Sequence, residues 1–527
     1  MRNKAIYILL LCLLSALAVR LFVFLNTDHL DFESVFRVHD SYQFADNPLK
    51  LLWGTEIIHS GTGDQKGYYF LNSLIMYFID RPVEAAKMTS LVFGIFSIMA
   101  YYFLIRLCFP RLIAMSSAFM LSFYPLHAQL SVVPMANSGF IFFTIASLYF
   151  LVKYLKGSGG ERKGFYFSVS LVFTVLATSF RMEAWILIAL YPFFILREKG
   201  AARSILFFIL SSLYVLSVFY IFYERQGDPV SFLRNPVFST PEFNGDHFTF
   251  MAGRPEVTLY VKNKLFLWVK VMIMTFSLPI AILASLGMVI AVRDNNKEQR
   301  RFLLMFWVFF ILSTARYIIT EHAVLIRYSV LMGIFFIPFV FTGARYAVDR
   351  ILYFTRIGHY GGKRIVAGCL AAVNLYYAFF SAGLLIREIP QMKYDTEVHN
   401  LADVLDKRIM SGDIVLSSFN TLHLFASELM NRFCEEEELN IEVIEKGKLD
   451  KIALISDGFN SMPRENGVYY NLLFKRGRPR EPERLVLVLN KRDYSYFRES
   501  FPDVFERAEI NREGDFAYTC TLSLDEL

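Results

Sequence analysis

The chain has 527 residues, of which 55% are hydrophobic, and it carries a formal net charge of +6. Soluble domains reach only about 45–50% apolar residues even when Gly is counted with them, so the composition excludes an ordinary soluble protein. Lys and Arg collect in the connections between apolar runs, and these connections explain much of the positive charge without a nucleic-acid partner.

Apolar runs recur through the first 390 residues, and many have about the 20 residues that a helix needs to cross a bilayer. They predict a polytopic α-helical membrane protein. The first run continues past the sequence SALA, which favours a retained helix over a cleaved signal peptide. We predict eleven transmembrane helices, at residues 5–25, 88–109, 112–129, 138–155, 165–180, 184–196, 204–223, 265–292, 302–320, 328–344 and 365–386.

The distribution of Lys and Arg predicts how the chain is oriented. Every second connection is basic, and short basic loops stay on the cytoplasmic side of a membrane. We therefore predict an integral protein of the cytoplasmic membrane with a cytoplasmic N-terminus. The same rule places the large first loop, residues 26–87, and the whole region after residue 386 on the extracytoplasmic side.

Residues 391–527 differ in composition from the membrane portion, residues 1–390, because charged and apolar residues are mixed in them. GDIVLSS, KIALIS and RLVLVLN are typical of short buried strands, and EVHNLADVLDKRIM has helical periodicity. The pattern predicts a small extracytoplasmic α/β domain. Its two thiols, Cys434 and Cys520, lie far apart in sequence and leave a disulfide open.

The stretch FRVHDSYQFADNPLKLLWG, residues 36–54, is longer and more aromatic than a connection between two helices requires. It contains the carboxylate of Asp40, and the loop around it also supplies Tyr42, His59 and Lys66. The segment YYFLNSLIMYF, residues 68–78, is short for a span, so we predict a helix that lies in the membrane interface.

Further charged residues lie at the predicted extracytoplasmic ends of the spans, where they are costly and by default mark function. Structural alternatives stay open for three of these places: Arg20 snorkels to the interface, Arg181 and Glu183 form a local ion pair, and Arg327 anchors its helix. The residues are Arg20 in the first span, Arg181 and Glu183 in SFRMEAW, and Glu321, His322, Arg327 and Tyr328 in EHAVLIRY.

Together these residues suit a reaction on a phosphate held at the membrane. Arg presents a planar fork of donors that fits phosphate oxygens, and a carboxylate takes a proton from an attacking hydroxyl or amine. Cations stabilise the negative charge that develops on a departing phosphate. Sugar transfer from a lipid-linked phosphate needs these groups and no nucleotide site. No cofactor is predicted, because His59 and His322 have no neighbours at metal-ligand spacing; a divalent metal stays open without support from the sequence.

Four motifs carry a resemblance to a known family. Asp40 is followed by an aromatic residue four positions later and by a glycine fourteen positions later. SFRMEAW is similar to the family's Arg-x-Glu-Gly/Ala-Trp turn, and IRYSVLMGIFFIPF is similar to its Arg-Tyr followed by a proline-containing helix. Asn137 and Ser138 stand where the family often has Ser-Glu-Pro. With these motifs, residues 5–390 resemble the polytopic GT-C glycosyltransferases, in the bacterial and archaeal branch similar to dolichyl-phosphate-mannose protein mannosyltransferases (glycosyltransferase family 39) and aminoarabinose lipid A transferases.

The resemblance implies that Asp40 is the general base and that the anomeric carbon of the sugar is inverted. It implies a polyprenyl-phosphate sugar as donor and a protein, lipid or glycan as acceptor. The residues expected to bind the donor phosphate are Arg181, Arg327, Lys66 and Arg20, and those expected to support the site are Glu183, Tyr328, His322, Tyr42 and His59.

The sequence also departs from the family at three places that bear on the chemistry. Ser41 stands where relatives have a second acidic residue, which puts a scheme with two carboxylates in doubt. Gly67 follows Lys66 where relatives keep a Lys-Pro-Pro segment. Asn137 replaces a Glu, and we expect this change to remove a polar contact.

Two other classes of function stay open. A transporter or flippase for lipid-linked sugars would use polar residues and broken helices near the middle of the membrane, whereas the ionisable residues here concentrate at the ends of spans. A non-catalytic membrane scaffold with a glycan- or partner-binding tail would not need Asp40.

Overall fold

By its contacts the chain divides into two compact units, one made of Met1–Phe78 and Glu84–Met392 and the other of Ile79–Val83 and Lys393–Leu527. The computed structural model describes residues 2–27, 37–38, 41–42, 44–45, 47–49, 51, 66–79, 81–157, 162–228, 271–294, 296–319, 329–355, 359–388, 414–417, 471–474, 484–490, 494–495, 498–499, 502–513 and 517–523.

The first unit is helical throughout its described regular elements. Seven of the described helices are long and apolar enough to cross a membrane, judged by length and composition: α1, α3, α6, α7, α9, α12 and α13. The predicted polytopic helical fold is confirmed, while the number of eleven spans stays a prediction. The helices are α1 (Arg2–Asn26), α2 (Lys66–Phe78), α3 (Pro82–Cys108), α4 (Arg111–Phe123), α5 (Pro125–Leu130), α6 (Asn137–Lys156), α7 (Arg162–Phe180), α8 (Trp185–Lys199), α9 (Ala201–Gln226), α10 (Leu278–Arg293), α11 (Lys297–Ile319), α12 (Val330–Phe354) and α13 (His359–Glu388).

The span predicted at residues 112–129 is not one continuous helix. Helix α4 ends at Phe123, Tyr124 has an extended backbone (φ −61°, ψ 112°), and α5 begins at Pro125. The proline ring disfavours a helical conformation of the residue before it, so the chain turns at Tyr124. The prediction of an unbroken span was wrong here, and Pro125 in the sequence already indicated the break.

A second break interrupts the long span predicted at residues 265–292. Residues 271–276 are helical, Ser277 has φ 66° and ψ 156°, and α10 starts at the next residue. This region of backbone space suits essentially only glycine. The Tyr376 hydroxyl lies 3.2 Å from Ser277 Oγ, and the Phe276 ring stacks on Tyr124 with centroids 4.8 Å apart. Packing from other helices therefore holds a break that the residue type does not favour.

An ion-pair network joins the end of α8 to the start of α11. Arg301 Nη2 donates to Glu198 at 2.9 Å, and its Nη1 donates to Glu298 at 3.0 Å. Lys297 Nζ adds a second contact to Glu198 at 3.4 Å. Burial by itself raises the pKa of Glu198, but the hydrogen bond from Arg301 and the charges of Arg301 and Lys297 lower it, and the net direction is down. The carboxylate is therefore held in its charged form.

The second unit contains a five-stranded sheet in the order β2-β1-β3-β5-β4. β1 and β3 are parallel, and the other neighbours are antiparallel. The strands predicted in GDIVLSS and RLVLVLN are confirmed as β1 and β3, whereas KIALIS and the helix at 397–410 lie outside the described residues. The strands are β1 (Ile414–Ser417), β2 (Asn471–Phe474), β3 (Arg484–Asn490), β4 (Glu509–Glu513) and β5 (Ala517–Ser523), and the helix Pro502–Arg507 is α14.

Strand β3 is covered on both faces of the sheet. Its residues from Leu485 to Leu489 are all buried, although successive side chains point to opposite faces. Cys520 pairs with Leu487 across the sheet and is a free, buried thiol whose pKa is raised by burial to about 12. The disulfide left open between Cys434 and Cys520 is thus not formed at Cys520, and Cys434 lies outside the described residues.

Candidate functional site

The helix α2, inside the large first loop, packs against the end of α7. A Cβ atom on Gly67 would overlap with Ser179 Oγ and lie 3.1 Å from Ser179 Cβ, so a larger residue here would force the Ser179 side chain to move. Next to Gly67, the rings of Tyr68 and Phe180 pack edge to face with their centroids 6.2 Å apart. The helix predicted at residues 68–78 is therefore present. Its position in the membrane interface stays a prediction.

The turn that follows α7 carries a buried ion pair. Arg181 leaves the helix with an extended backbone (φ −154°, ψ 144°), and the short 3₁₀ turn Met182–Ala184 brings Glu183 back beneath it. Arg181 Nε donates to Glu183 Oε2 at 2.9 Å, and Nη2 donates to Oε1 at 3.2 Å. This two-bonded geometry fixes the plane of the guanidinium. The local ion pair kept open in the sequence analysis is thus present, and it is only 5% and 8% exposed at its two residues.

Asn137, the first residue of α6, completes this cluster from a different helix. Arg181 Nη1 donates to Asn137 Oδ1. The expectation that Asn137 in place of Glu removes a polar contact was therefore wrong, because the amide oxygen accepts a hydrogen bond as a carboxylate would. It does so without a second negative charge, so Glu183 alone balances Arg181 among these three residues. Lys66, half-buried, begins α2 beside Gly67 and so lies next to the end of α7.

The residues on either side of Asp40 in the sequence pack onto α2. Asp40 itself lies outside the described residues. Arg37 is buried, and its guanidinium lies over the Tyr68 ring at 5.8 Å from the centroid. Ser41 is also buried; its Oγ donates to the Arg37 carbonyl at 2.7 Å, and its own carbonyl accepts a bond from Ser73 at 2.6 Å. Tyr68 therefore touches the Asp40 region through Arg37 and the end of α7 through Phe180.

Comparisons with known proteins agree with this architecture. A family model described as dolichyl-phosphate-mannose-protein mannosyltransferase matches residues 43–199, which include α2 and the Arg181 cluster and begin three residues after Asp40. ArnT from Cupriavidus metallidurans bound to undecaprenyl phosphate superposes with a TM-score of 0.61 at 11% identity, over 97% of both chains. The predicted resemblance to the GT-C glycosyltransferases is confirmed.

Two further GT-C matches come from Archaeoglobus fulgidus. Its oligosaccharyltransferase AglB, in complex with an inhibitory peptide and a dolichol-phosphate, gives a TM-score of 0.53 at 10% identity over 98% of this chain and 74% of that one. The apo form of the oligosaccharyltransferase gives 0.51 at 10% identity over 80% of this chain, which spans only 63% of the archaeal protein. The sequence matches no curated protein. At these identities the structures show a shared GT-C fold.

Arg20 lies in a different network of the GT-C bundle from Arg181. It is fully buried, which excludes the alternative that it snorkels to the interface. Its Nη1 donates to the carbonyls of Ala16 and Ser122, each at 3.0 Å, and its Nη2 lies 2.5 Å from His127 Nδ1. These partners lie in α1, α4 and α5, whereas Arg181 bonds to Glu183 and Asn137. In the described part of the chain the structure therefore does not bring the two arginines together.

The hydrogen atoms of this second network follow from the donor inventory. A guanidinium only donates, so His127 Nδ1 accepts and the ring proton is on Nε2. Nε2 then donates to Ser97 Oγ at 2.8 Å, and Ser97 donates to the Gly94 carbonyl at 2.8 Å. Arg20, His127 and Ser97 thus form a directed chain across α1, α5 and α3. His127 was not among the predicted residues, and its only signal in the sequence is a lone polar ring in an apolar run.

Several predicted site residues cannot be placed because they lie outside the described residues. These are Asp40, His59, His322, Arg327 and Tyr328. Tyr42 is described and half-buried. Arg37 was not predicted as a site residue, and its only signal in the sequence is a positive charge three residues before Asp40. Among the described residues, no group of three or more His, Cys, Asp or Glu side chains is placed to hold a metal ion.

Proposed function

We propose that the protein is a membrane glycosyltransferase that moves a sugar from a polyprenyl-phosphate-linked donor to an acceptor on the extracytoplasmic side. One observation carries the proposal. Residues flanking Asp40, the helix α2 and the Arg181 cluster converge through Tyr68 inside a GT-C fold, and both α2 and the Arg181 cluster lie within the segment that matches a mannosyltransferase model. The similar structures that carry undecaprenyl phosphate and dolichol-phosphate support a polyprenyl phosphate as the carrier.

Asp40 acts as the general base. It takes the proton from the acceptor's hydroxyl or amine while that group attacks the anomeric carbon from the face opposite the phosphate. The bond between the anomeric carbon and the phosphate oxygen breaks, the polyprenyl phosphate leaves with the electron pair, and the configuration of the sugar inverts. The acceptor is a protein, a lipid or a glycan.

The cations stabilise the phosphate as it leaves. Arg181 is pre-oriented by Glu183 and Asn137, so little reorganisation is needed when negative charge develops. Lys66 begins α2 beside the same turn, and Arg327 joins from the motif IRY. Tyr42, His59, His322 and Tyr328 are assigned supporting roles from their places in the sequence motifs. Arg20 has three partners on the helices α1, α4 and α5. It therefore joins the helices of the bundle and does not bind the phosphate.

The proposal is tested with membranes that contain the protein and a radiolabelled panel of polyprenyl-phosphate sugars. Wild-type protein is expected to transfer label to an acceptor, and Asp40→Asn is expected to lose this transfer at equal expression because the base is removed at constant size. Asp46→Asn, a change of the same kind in the same stretch, is the matched control and keeps activity. Full turnover by Asp40→Asn would move the role of the base to Glu183. Passage of labelled donor across vesicles without transfer would favour the transporter.

A further inference from the structure

Ser73 makes a contact that its place in a helix does not require. It is fully buried on α2, and its Oγ lies 2.8 Å from the Tyr69 carbonyl and 2.6 Å from the Ser41 carbonyl. The bond to Tyr69 is the local back-bond that a serine in any helix can make. The bond to Ser41 is the shorter one, and it joins residues 32 apart in sequence. The hydroxyl has a single hydrogen, which is shared between the carbonyls of Tyr69 and Ser41. The local bond within the helix is therefore partly replaced by the bond to the loop.

The carbonyl that Ser73 holds belongs to the residue directly after Asp40. Ser41 Oγ in turn donates back to the Arg37 carbonyl at 2.7 Å, and Arg37 rests on the ring of Tyr68. Residues 37 and 41 are thus tied to each other and to two points of α2 that are five residues apart. The face of α2 that makes them is buried: Tyr68, Tyr69, Asn72, Ser73 and Met76.

We propose that Ser73 is a positioning residue that fixes the backbone next to Asp40 for proton transfer. The inference rests on the proposed function, in which Asp40 is the base. A general base must lie within about 2.6–3.2 Å of the proton that it takes, and a displacement of about 1 Å costs on the order of a hundredfold in rate. Ser73 touches neither reacting group. Its effect passes through the peptide that it holds.

The test compares three variants of the full-length protein in membranes. Ser73→Ala is expected to lower kcat for sugar transfer by about tenfold to a hundredfold while KM for the polyprenyl-phosphate sugar changes less than about twofold. Ser73→Thr keeps a hydroxyl on the same carbon and is expected to recover most of the lost kcat. Ser170→Ala is the matched control, because Ser170 is also buried and donates to a carbonyl of another helix, that of Ser147, at 2.9 Å. It is expected to keep kcat at a similar melting temperature.

A second variant keeps the inference testable if Ser73→Ala does not fold. Ser41→Ala removes the bond from Ser41 Oγ to Arg37 at the edge of the same turn, and it is expected to lower kcat in the same way with KM unchanged. Wild-type kcat in a folded Ser73→Ala or Ser41→Ala, with Asp40→Asn inactive, would overturn the positioning role and leave the proposed function intact. Full activity of Asp40→Asn would overturn the base, and the role of Ser73 with it.

Discussion

Arg20 and Arg181 look alike in the sequence, since each is a charged residue near the predicted outer end of a span, but they are stabilised in different ways. Arg181 lies at a turn between helices and forms a two-bonded ion pair with Glu183. Arg20 lies inside the bundle, where its partners are two carbonyls and the ring of His127. A buried guanidinium needs its donors satisfied. The carboxylate of Glu183 accepts two bonds from Arg181, whereas neutral acceptors satisfy only the two terminal nitrogens of Arg20, whose Nε has no hydrogen-bond partner in the described part of the chain. The first arrangement orients one cation at a turn, and the second joins helices.

The largest expected effect is that of replacing Arg181, and it tests whether Arg181 acts in catalysis or only in a structural ion pair. Arg181→Gln is expected to lower kcat by about 10²–10³, the cost of removing one oriented group that stabilises charge in the transition state. It also removes the guanidinium that is ion-paired with the buried Glu183 carboxylate, which costs about 3–5 kcal/mol of folding free energy. The double variant Arg181→Gln with Glu183→Gln is the control, because it removes both charges. It is expected to recover the melting temperature and not kcat; recovery of kcat would show that Arg181 acts only in folding.

Arg20 is expected to show the opposite pattern. Arg20→Met keeps the length of the side chain but leaves the Ser122 carbonyl and His127 Nδ1 without their donor, so the free energy of unfolding should fall by about 1–3 kcal/mol. KM for the polyprenyl-phosphate sugar should stay within about twofold, since the proposed phosphate site is at the Arg181 cluster. Ser97→Ala, at the far end of the same chain of bonds, should give a smaller loss of stability. A large rise in KM without a loss of stability would place Arg20 with Arg181 and break the comparison.

Asn72 tests, on a side chain without charge, the rule that a buried polar group needs a hydrogen-bond partner. Its side chain is fully buried on α2, and within the part of the chain that the structure describes neither its Nδ2 nor its Oδ1 has a hydrogen-bond partner. An apolar residue of similar size costs nothing in lost bonds, so Asn72→Leu is expected to raise the free energy of unfolding by about 1 kcal/mol. Thermal or denaturant unfolding in detergent measures it, with Asn72→Asp as the destabilising counterpart. A loss of stability in Asn72→Leu would contradict the unsatisfied state.

The smallest expected effect belongs to Glu198, in the more exposed ion-pair network at the other end of α8. Glu198→Gln should lower the free energy of unfolding by about 0.5–1 kcal/mol at pH 7. Because the pKa of Glu198 is lowered in the folded protein, this contribution is present above the unfolded pKa of about 4.3 and is lost as the pH falls through the folded value. Melting curves of both proteins should therefore converge as the pH is lowered below about 4.3.

The control for Glu198 is Lys297→Gln, whose side chain is 70% exposed and whose removal should change stability less. A difference between wild type and Glu198→Gln that stays constant into strong acid would show that the carboxylate does not act through its charge. Such a result would also weaken the contrast between the buried pair at one end of α8 and the more exposed network at the other.

Much of the fold was predictable because the signals are local. The span predicted at 138–155 falls within α6, and RLVLVLN is β3 over its whole length. Pro125 would have predicted the break between α4 and α5, since the restriction on the preceding residue depends only on the next one in the chain. Ser277 would not, because nothing in its residue type suggests a positive φ. Its backbone is held by Tyr376 and by the rings around Phe276.

In the candidate site, too, some features depend on neighbouring residues and others on how the helices pack. The sequence by itself determined the length and polarity of the apolar runs, the placement of charge at their ends and the spacing of the motifs around Asp40 and Arg181, because these are properties of neighbouring residues. Only the tertiary structure decided that Asn137 meets Arg181, that Ser73 meets Ser41 and that His127 meets Arg20, pairs that are 44, 32 and 107 residues apart. A hydrogen bond depends on where two atoms lie to within a fraction of an ångström, and for partners so distant in the chain that position is set by how whole helices pack.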